Sequence, residues 1–163
     1  MKINDVLSDD FLTKVANFEG FRSKPYKCPG NHWTVGYGHC LMYDGKSKFN
    51  PLTVDEARII LKNDLRIAYR QLSHLLELDR FSVMQIQALV DFVFNLGIGT
   101  LQKSSFFHYL KKYNRKYITF KKSYDCYIVN KLKEYDCSNG KHLLGLRLRR
   151  EFEIRCWLDK PIY

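Results

Sequence analysis

The stretch from Val83 to Leu96 is apolar on nearly every face, and it is framed by helix punctuation at both ends. Ser82-Val83-Met84-Gln85 spells a capping box, in which the serine and the glutamine three places on satisfy each other's backbone N–H groups. Gly97 is placed to stop the helix. A helix with no polar side has nothing to offer water, so the rest of the chain must wrap it. The stretch is too short to span a bilayer and carries Gln85, Gln87, Asp91 and Asn95. It is expected to be core, not a cofactor box.

The remaining punctuation predicts what does the wrapping. Ser8 is an N-cap for a helix carrying Phe11, Leu12, Val15 and Phe18, with Leu7 and Leu12 at the two positions of a hydrophobic staple and Gly20 as the stop. Between residues 24 and 50, Pro25, Pro29, Gly30, Gly36, Gly38, Asp44-Gly45 and Asn50-Pro51 punctuate short runs with Tyr26, Trp33, Val35 and Tyr37. That pattern predicts a small twisted antiparallel sheet. Thr53-Val54-Asp55-Glu56 is a second capping box, followed by Ala57, Ile60, Leu61, Leu65, Ala68 and Leu72 at helical spacing. Further helices are expected around Ser105–Tyr113, around Tyr117–Ser123 and from Leu146 to Leu158. The fold class is therefore α+β: one domain over residues 1–163, a mostly helical body with a small N-terminal antiparallel β lobe at about 20–52 and a buried central helix.

Charge and cysteine content narrow the setting. The 163 residues carry a formal net charge of +10, which draws a protein toward polyanions without choosing among nucleic acid, anionic membrane and bacterial envelope. Five cysteines, an odd number without regular spacing, argue against a disulfide scaffold and for reduced thiols in a cytoplasmic setting. Asn4, Asp5, Asp9 and Asp10 interrupt any apolar run of signal-peptide type, so neither a signal peptide nor a transmembrane segment is expected. Cys126, Cys137 and Cys156 are expected to pack as small apolar side chains. Arg147, Arg149, Arg150 and Arg155 read as a solvated basic face rather than a nucleic-acid patch, and no nucleic-acid motif accompanies them.

The candidate chemistry lies between Glu19 and His39. Splitting a glycosidic bond requires a protonated acid beside the leaving oxygen and a group that places water or attacks the anomeric carbon. Glu19 ends the first helix, where the negative end of the helix dipole favours the neutral carboxyl, and partial burial beside Phe18 and Phe21 acts in the same direction. The partner groups would come from the sheet, whose glycines allow close backbone approach. Zinc ligation by Cys28, His32, His39 and Cys40 is the rival reading, but the spacing lacks the paired C-x-x-C or H-x-x-x-H form.

Glu19-Gly20-Phe21-Arg22 with Tyr26, then Cys28-Pro29-Gly30-Asn31-His32-Trp33-Thr34-Val35-Gly36-Tyr37-Gly38-His39, resembles the signature of phage-type lysozymes, the endolysin muramidases. Their pattern is Glu, eight residues, Asp or Cys, five residues, Thr, then Ile/Val-Gly-Tyr-Gly-His. Gln87 to Gly97 resembles the family's central helix. Asn139-Gly140-Lys141 with Gly145-Leu146, Arg149-Arg150 and Glu153 resembles its C-terminal motif, closing on Cys156-Trp157.

The resemblance implies hydrolysis of the β-1,4 bond between N-acetylmuramic acid and N-acetylglucosamine, with Glu19 as general acid and Cys28 and Thr34 positioning and activating water. Tyr37, Gly38 and His39 form the substrate-side group. Within it, His39 is expected to tether the sheet to the helical body rather than touch sugar. Cys28 stands where many relatives carry Asp, and a protonated thiol is a poorer acceptor than a carboxylate. Either a nearby cation makes it a thiolate or Thr34 carries more of the water-positioning role. No cofactor or metal is called for. The partner is bacterial peptidoglycan, and a monomer is expected. Synthesis in the host bacterial cytoplasm and passage through a hole made by a separate membrane protein complete the expectation. The rival is a cationic envelope-binding or membrane-permeabilising protein without hydrolase activity.

Overall fold

The computed structural model describes residues 2–28, 31–41, 50–114, 121–138 and 140–160. In chain order its elements are α1 (Ile3–Val6), α2 (Asp9–Glu19), β1 (Arg22–Lys27), β2 (Trp33–Gly36), β3 (His39–Cys40) and α3 (Val54–Leu75), then a 3-10 turn at Leu78–Arg80. They continue with α4 (Val83–Leu96), α5 (Ile98–Lys103), α6 (Phe107–Lys112), α7 (Lys121–Lys133), β4 (Cys137–Ser138), β5 (Lys141–His142) and α8 (Leu144–Trp157). The fold is α+β, as expected. The chain divides into two compact units, one from Leu7 to Arg66 and one made of the remaining described residues. Helix α3 runs from the first into the second. No described helix is long and apolar enough to cross a membrane.

In the Leu7–Arg66 unit, Ser8 caps α2 by accepting the Phe11 N–H, and Leu7, Phe11, Leu12, Val15 and Ala16 are buried. Helix α2 ends as expected at Gly20, whose φ of 69° suits a residue without a Cβ and whose N–H donates to the Ala16 carbonyl. Strands β1, β2 and β3 form an antiparallel sheet in that order, with Tyr26 opposite Thr34 and Val35 opposite His39. The Thr53 capping box closes in full: Thr53 N–H donates to Glu56 Oε2 at 2.8 Å, and Glu56 N–H donates to Thr53 Oγ1 at 3.2 Å. The Thr53 N–H, and after it the Thr53 hydroxyl donating to Glu56 Oε2 at 2.9 Å, hold the exposed Glu56 carboxyl below its ordinary range. The expected turns at Pro29-Gly30 and Asp44-Gly45 lie outside the described residues.

The second unit is built around α4. All nine residues from Gln85 to Val93 are buried, and the Ser82–Gln85 box is present in both directions. The polar residues inside have partners. Gln85 Nε2 donates to Tyr113 Oη at 2.8 Å, and Gln87 Nε2 donates to the Val6 carbonyl at 2.8 Å. Asp91 accepts two hydrogen bonds from Arg149, from Nε at 2.9 Å and Nη2 at 2.7 Å. This corrects the reading of the C-terminal arginines as a solvated face. Arg149 and Arg150 are only 3% and 1% exposed, whereas Arg147 and Arg155 are at the surface. Arg150 donates to Asn95 Oδ1 at 2.8 Å and lies 2.8 Å from Glu153, also buried. Burial pushes the Glu153 carboxyl well above the usual carboxylate range, against the pull of Arg150.

Other expectations shift. Helix α6 is shorter than expected, and α7 begins at Lys121 and continues to Lys133, with the expected start at 117–120 outside the described residues. One inward position of α7 is Asp125, which accepts the Trp157 indole N–H at 3.0 Å. An apolar pattern cannot reveal a helix that turns a carboxylate inward. The short α1 and α5 and the β4–β5 hairpin were not foreseen. Cys156 is buried, as expected, but Cys126 and Cys137 are exposed, because they fall on the outer face of α7 and on the open hairpin.

Removing one partner of a buried ion pair strands the other, so Arg149→Ala is expected to lower unfolding free energy by about 3–5 kcal/mol, measured by urea denaturation. Glu153→Gln is expected to cost far less, since the native state already favours the neutral side chain. A carboxyl raised in the fold contributes stability at low pH that is lost as pH climbs through its raised value. The Gln variant should therefore show a shallower loss of stability on the alkaline side of the ordinary glutamate range.

Candidate active site

The end of α2 delivers Glu19, half-buried, to the tight turn between β2 and β3. That turn is made by Gly36, the last residue of β2, with Tyr37 and Gly38, and both glycines have positive φ, 64° and 85°. Gly38 faces the acid. A Cβ on Gly38 would stand 3.1 Å from Glu19 Oε2 and 3.8 Å from its Cδ, so the missing side chain is what lets the carboxylate sit against the hairpin backbone. Gly36 is similarly pressed on Ala57 of α3, 3.2 Å from a built Cβ.

The next turn of the sheet holds Cys28 and Thr34. Cys28 N–H donates to the His32 carbonyl at 2.9 Å, and the Cys28 carbonyl accepts the Asn31 N–H at 2.8 Å. Asn31 carries φ of 62°, which asparagine tolerates better than most side chains. The Thr34 hydroxyl donates to the same His32 carbonyl at 3.2 Å. One carbonyl thus ties down the backbone of Cys28 and the side chain of Thr34. A hydroxyl whose hydrogen is committed presents its oxygen lone pairs as acceptors. Thr34 is 5% exposed and Cys28 is half-buried.

His39 makes the expected tether. Its Nδ1 lies 2.9 and 3.1 Å from the two carboxylate oxygens of Asp64 on α3. Asp64 is the partner that sequence reasoning missed, because nothing in its place on an amphipathic helix marks it as inward-looking. Tyr37 is buried, with its ring centroid 5.6 Å from that of Phe21. The structure therefore gives Tyr37 and His39 packing and tethering partners and sets Gly38 against the Glu19 carboxylate. Among the described residues, Cys28, His32, His39 and Cys40 form no cluster fit to hold a metal.

Lys27 Nζ lies 5.8 Å from the ring centroid of Trp33, its cross-strand partner, and the Arg22 guanidinium lies 4.4 Å from that of Tyr26. Two cations of strand β1 thus sit over aromatic rings of the sheet.

Known proteins share this arrangement of sequence and fold. The chain is 31% identical over 157 residues to the endolysin of Bacillus phage B103, covering 93% of this chain and 54% of that protein. It is 27% identical over 152 residues to the SAR-endolysin of Haemophilus phage HP1, covering 90% of this chain and 78% of that one. The chain thus spans about half the length of the first relative and more of the second. Among solved structures, the muramidase domain of SpmX from Asticaccaulis excentricus superposes with a TM-score of 0.74 at 22% identity, covering 93% of this chain and 96% of that one. The family model described as phage lysozyme matches residues 16–153, which takes in Glu19, Cys28, Thr34, the central helix and Glu153. By that match the chain belongs to the phage lysozyme family.

Proposed function

We propose that the protein is a peptidoglycan hydrolase of the endolysin type, cleaving the β-1,4 bond between N-acetylmuramic acid and N-acetylglucosamine. The observation that carries this reading is the seat of the Glu19 carboxyl against Gly38, on the hairpin whose first strand bears Thr34. Family membership and the endolysin relatives support the same chemistry. Glu19 protonates the glycosidic oxygen as the bond to the leaving sugar breaks. A water attacks the anomeric carbon from the position that Thr34 and Cys28 define, with the Thr34 oxygen accepting a hydrogen bond from it. The proton the water sheds as the new C–O bond forms passes to solvent, and Glu19 is reprotonated before the next turnover. If that water attacks the face opposite the leaving group, the product is inverted.

Tyr37 and His39 act by shaping the loop that carries Gly38, His39 through Asp64 and Tyr37 through Phe21. The net charge of +10 adds long-range attraction to an anionic wall. Synthesis before export and passage through a hole made by a separate protein are the delivery this reading requires. The chain acts as a monomer, over its whole length as one catalytic domain.

Glu19→Gln should abolish lysis of purified sacculi while leaving circular dichroism and unfolding unchanged; a variant that still lyses walls overturns the assignment of the acid. Mass spectrometry of muropeptides released by the parent should show reducing-end products, whereas anhydro ends would make it a transglycosylase instead. At the middle position, Cys28→Asp should keep substantial activity and Cys28→Ala should lose most of it. Parent-level lysis by the alanine variant would remove Cys28 from the chemistry. Gly38→Ala crowds Glu19 Oε2 and strains a positive φ, so its turnover should fall by about a hundredfold, the scale of a one-ångström misplacement, in a steady-state assay of wall lysis.

A further inference from the structure

The β4–β5 hairpin, remote in sequence from Glu19, gathers three side chains of metal-ligand type. Cys137 is the direct cross-strand partner of His142, so the two project from the same face of the ladder. Asp136 immediately precedes β4, and its carbonyl accepts the Leu143 N–H at 3.0 Å, which closes the base of the hairpin. Asp136 Oδ1 and His142 Nδ1 are 2.7 Å apart, Cys137 Sγ and His142 Nδ1 3.1 Å, and Cys137 Sγ and Asp136 Oδ1 3.3 Å. Among the described residues, this is the one group of three His, Cys, Asp or Glu side chains whose donor atoms all lie within 4.8 Å of one another.

A nucleophile relay does not fit these contacts. In such a relay the imidazole turns one nitrogen to the thiol and the other to the carboxylate. Here the carboxylate oxygen lies 2.7 Å from Nδ1, and sulfur is nearer that same nitrogen, at 3.1 Å, than Nε2, at 3.6 Å, so both partners crowd Nδ1, which cannot serve both with one proton. Sulfur, nitrogen and oxygen facing a common point is the arrangement of a coordination site.

We propose that Asp136, Cys137 and His142 bind a divalent transition ion of the zinc class. A mixed thiolate, imidazole and carboxylate set suits zinc or cobalt, whereas magnesium and calcium take oxygen ligands alone. Tetrahedral bonds of about 2.0–2.3 Å separate ligand atoms by about 3.4–3.6 Å, so the triangle must open by about 0.3–0.7 Å. The His142 side chain is 79% exposed and Cys137 is at the surface, so a rotamer adjustment achieves this. The open side leaves a fourth position for water. Asp136 follows α7 and His142 precedes α8, so the ion would clamp the connection between those two helices.

The test is zinc calorimetry on reduced, metal-free protein, with cobalt(II) absorption as a second readout. The parent should bind one equivalent of zinc and develop a cobalt–thiolate charge-transfer band. Cys137→Ser should remove the band, and both Cys137→Ser and His142→Ala should weaken zinc binding by about tenfold or more. Cys40→Ser and Cys126→Ser should leave both readouts as in the parent. The proposal is overturned if the parent binds no stoichiometric zinc, if Cys137→Ser keeps the band, if His142→Ala binds zinc as the parent does, or if either control loses the band. Wall lysis is no part of this readout, so the outcome is independent of the muramidase reading.

Discussion

Helix α4 cannot fold in isolation, since nine consecutive residues of it are buried and one of them is Asp91. Covering the apolar surface is ordinary hydrophobic packing, but a carboxylate in the same core needs a partner that reaches it. Arg149 of α8 supplies that partner with two hydrogen bonds, in the fork geometry that makes arginine the cation suited to a buried carboxylate. The pairing fixes more than the position of one side chain. It sets the rotation of α8 about its axis, and Trp157 and Cys156 are buried on the same helix, with Trp157 reaching Asp125 of α7. Phe81, Tyr113 and Trp157 complete the aromatic part of this core, with ring centroids 5.2 to 6.1 Å apart.

The Leu7–Arg66 unit follows a different principle. It has few buried side chains in its strands and relies on glycine geometry and side-chain-to-backbone bonds to bring functional groups together. Gly38 admits the Glu19 carboxylate, Gly36 admits Ala57, and the Leu52 N–H donates to the Ser23 carbonyl at 2.9 Å to hold the chain that leads into α3. Arg58 of α3 donates to Thr13 Oγ1 at 3.1 Å, tying that helix to the one that ends on the acid. The candidate site is thus held by backbone contacts together with a few side-chain bonds.

What the sequence reveals of this structure is its punctuation. Ser8, Thr53 and Ser82 announce helix starts, and Gly20 and Gly97 announce stops, because caps are local events that need no knowledge of the fold. The stripe of Val83–Leu96 announces a core because burial of a whole helix leaves a compositional trace. The site motif is legible for the same local reason: Glu19 ends a helix and Gly38 ends a tight loop. What the sequence hides is pairing over distance. Nothing local says that Arg149 meets Asp91, fifty-eight positions away, or that Asp64 meets His39. Read as isolated charges, such residues look solvated, and Asp125 likewise disguises the inward face of α7.

The backbone at Cys28 is held by bonds that do not involve its side chain. Both the N–H and the carbonyl of Cys28 are engaged, with His32 and Asn31, so the Cα stands where main-chain bonds put it. Those bonds do not depend on what the residue carries. The turn is a socket and the side chain a fitting: a different side chain at this position would leave from the same Cα, on a backbone held by the same His32 carbonyl that the Thr34 hydroxyl reaches. Variation in chemistry there is compatible with constancy in geometry, because the two are held by different atoms.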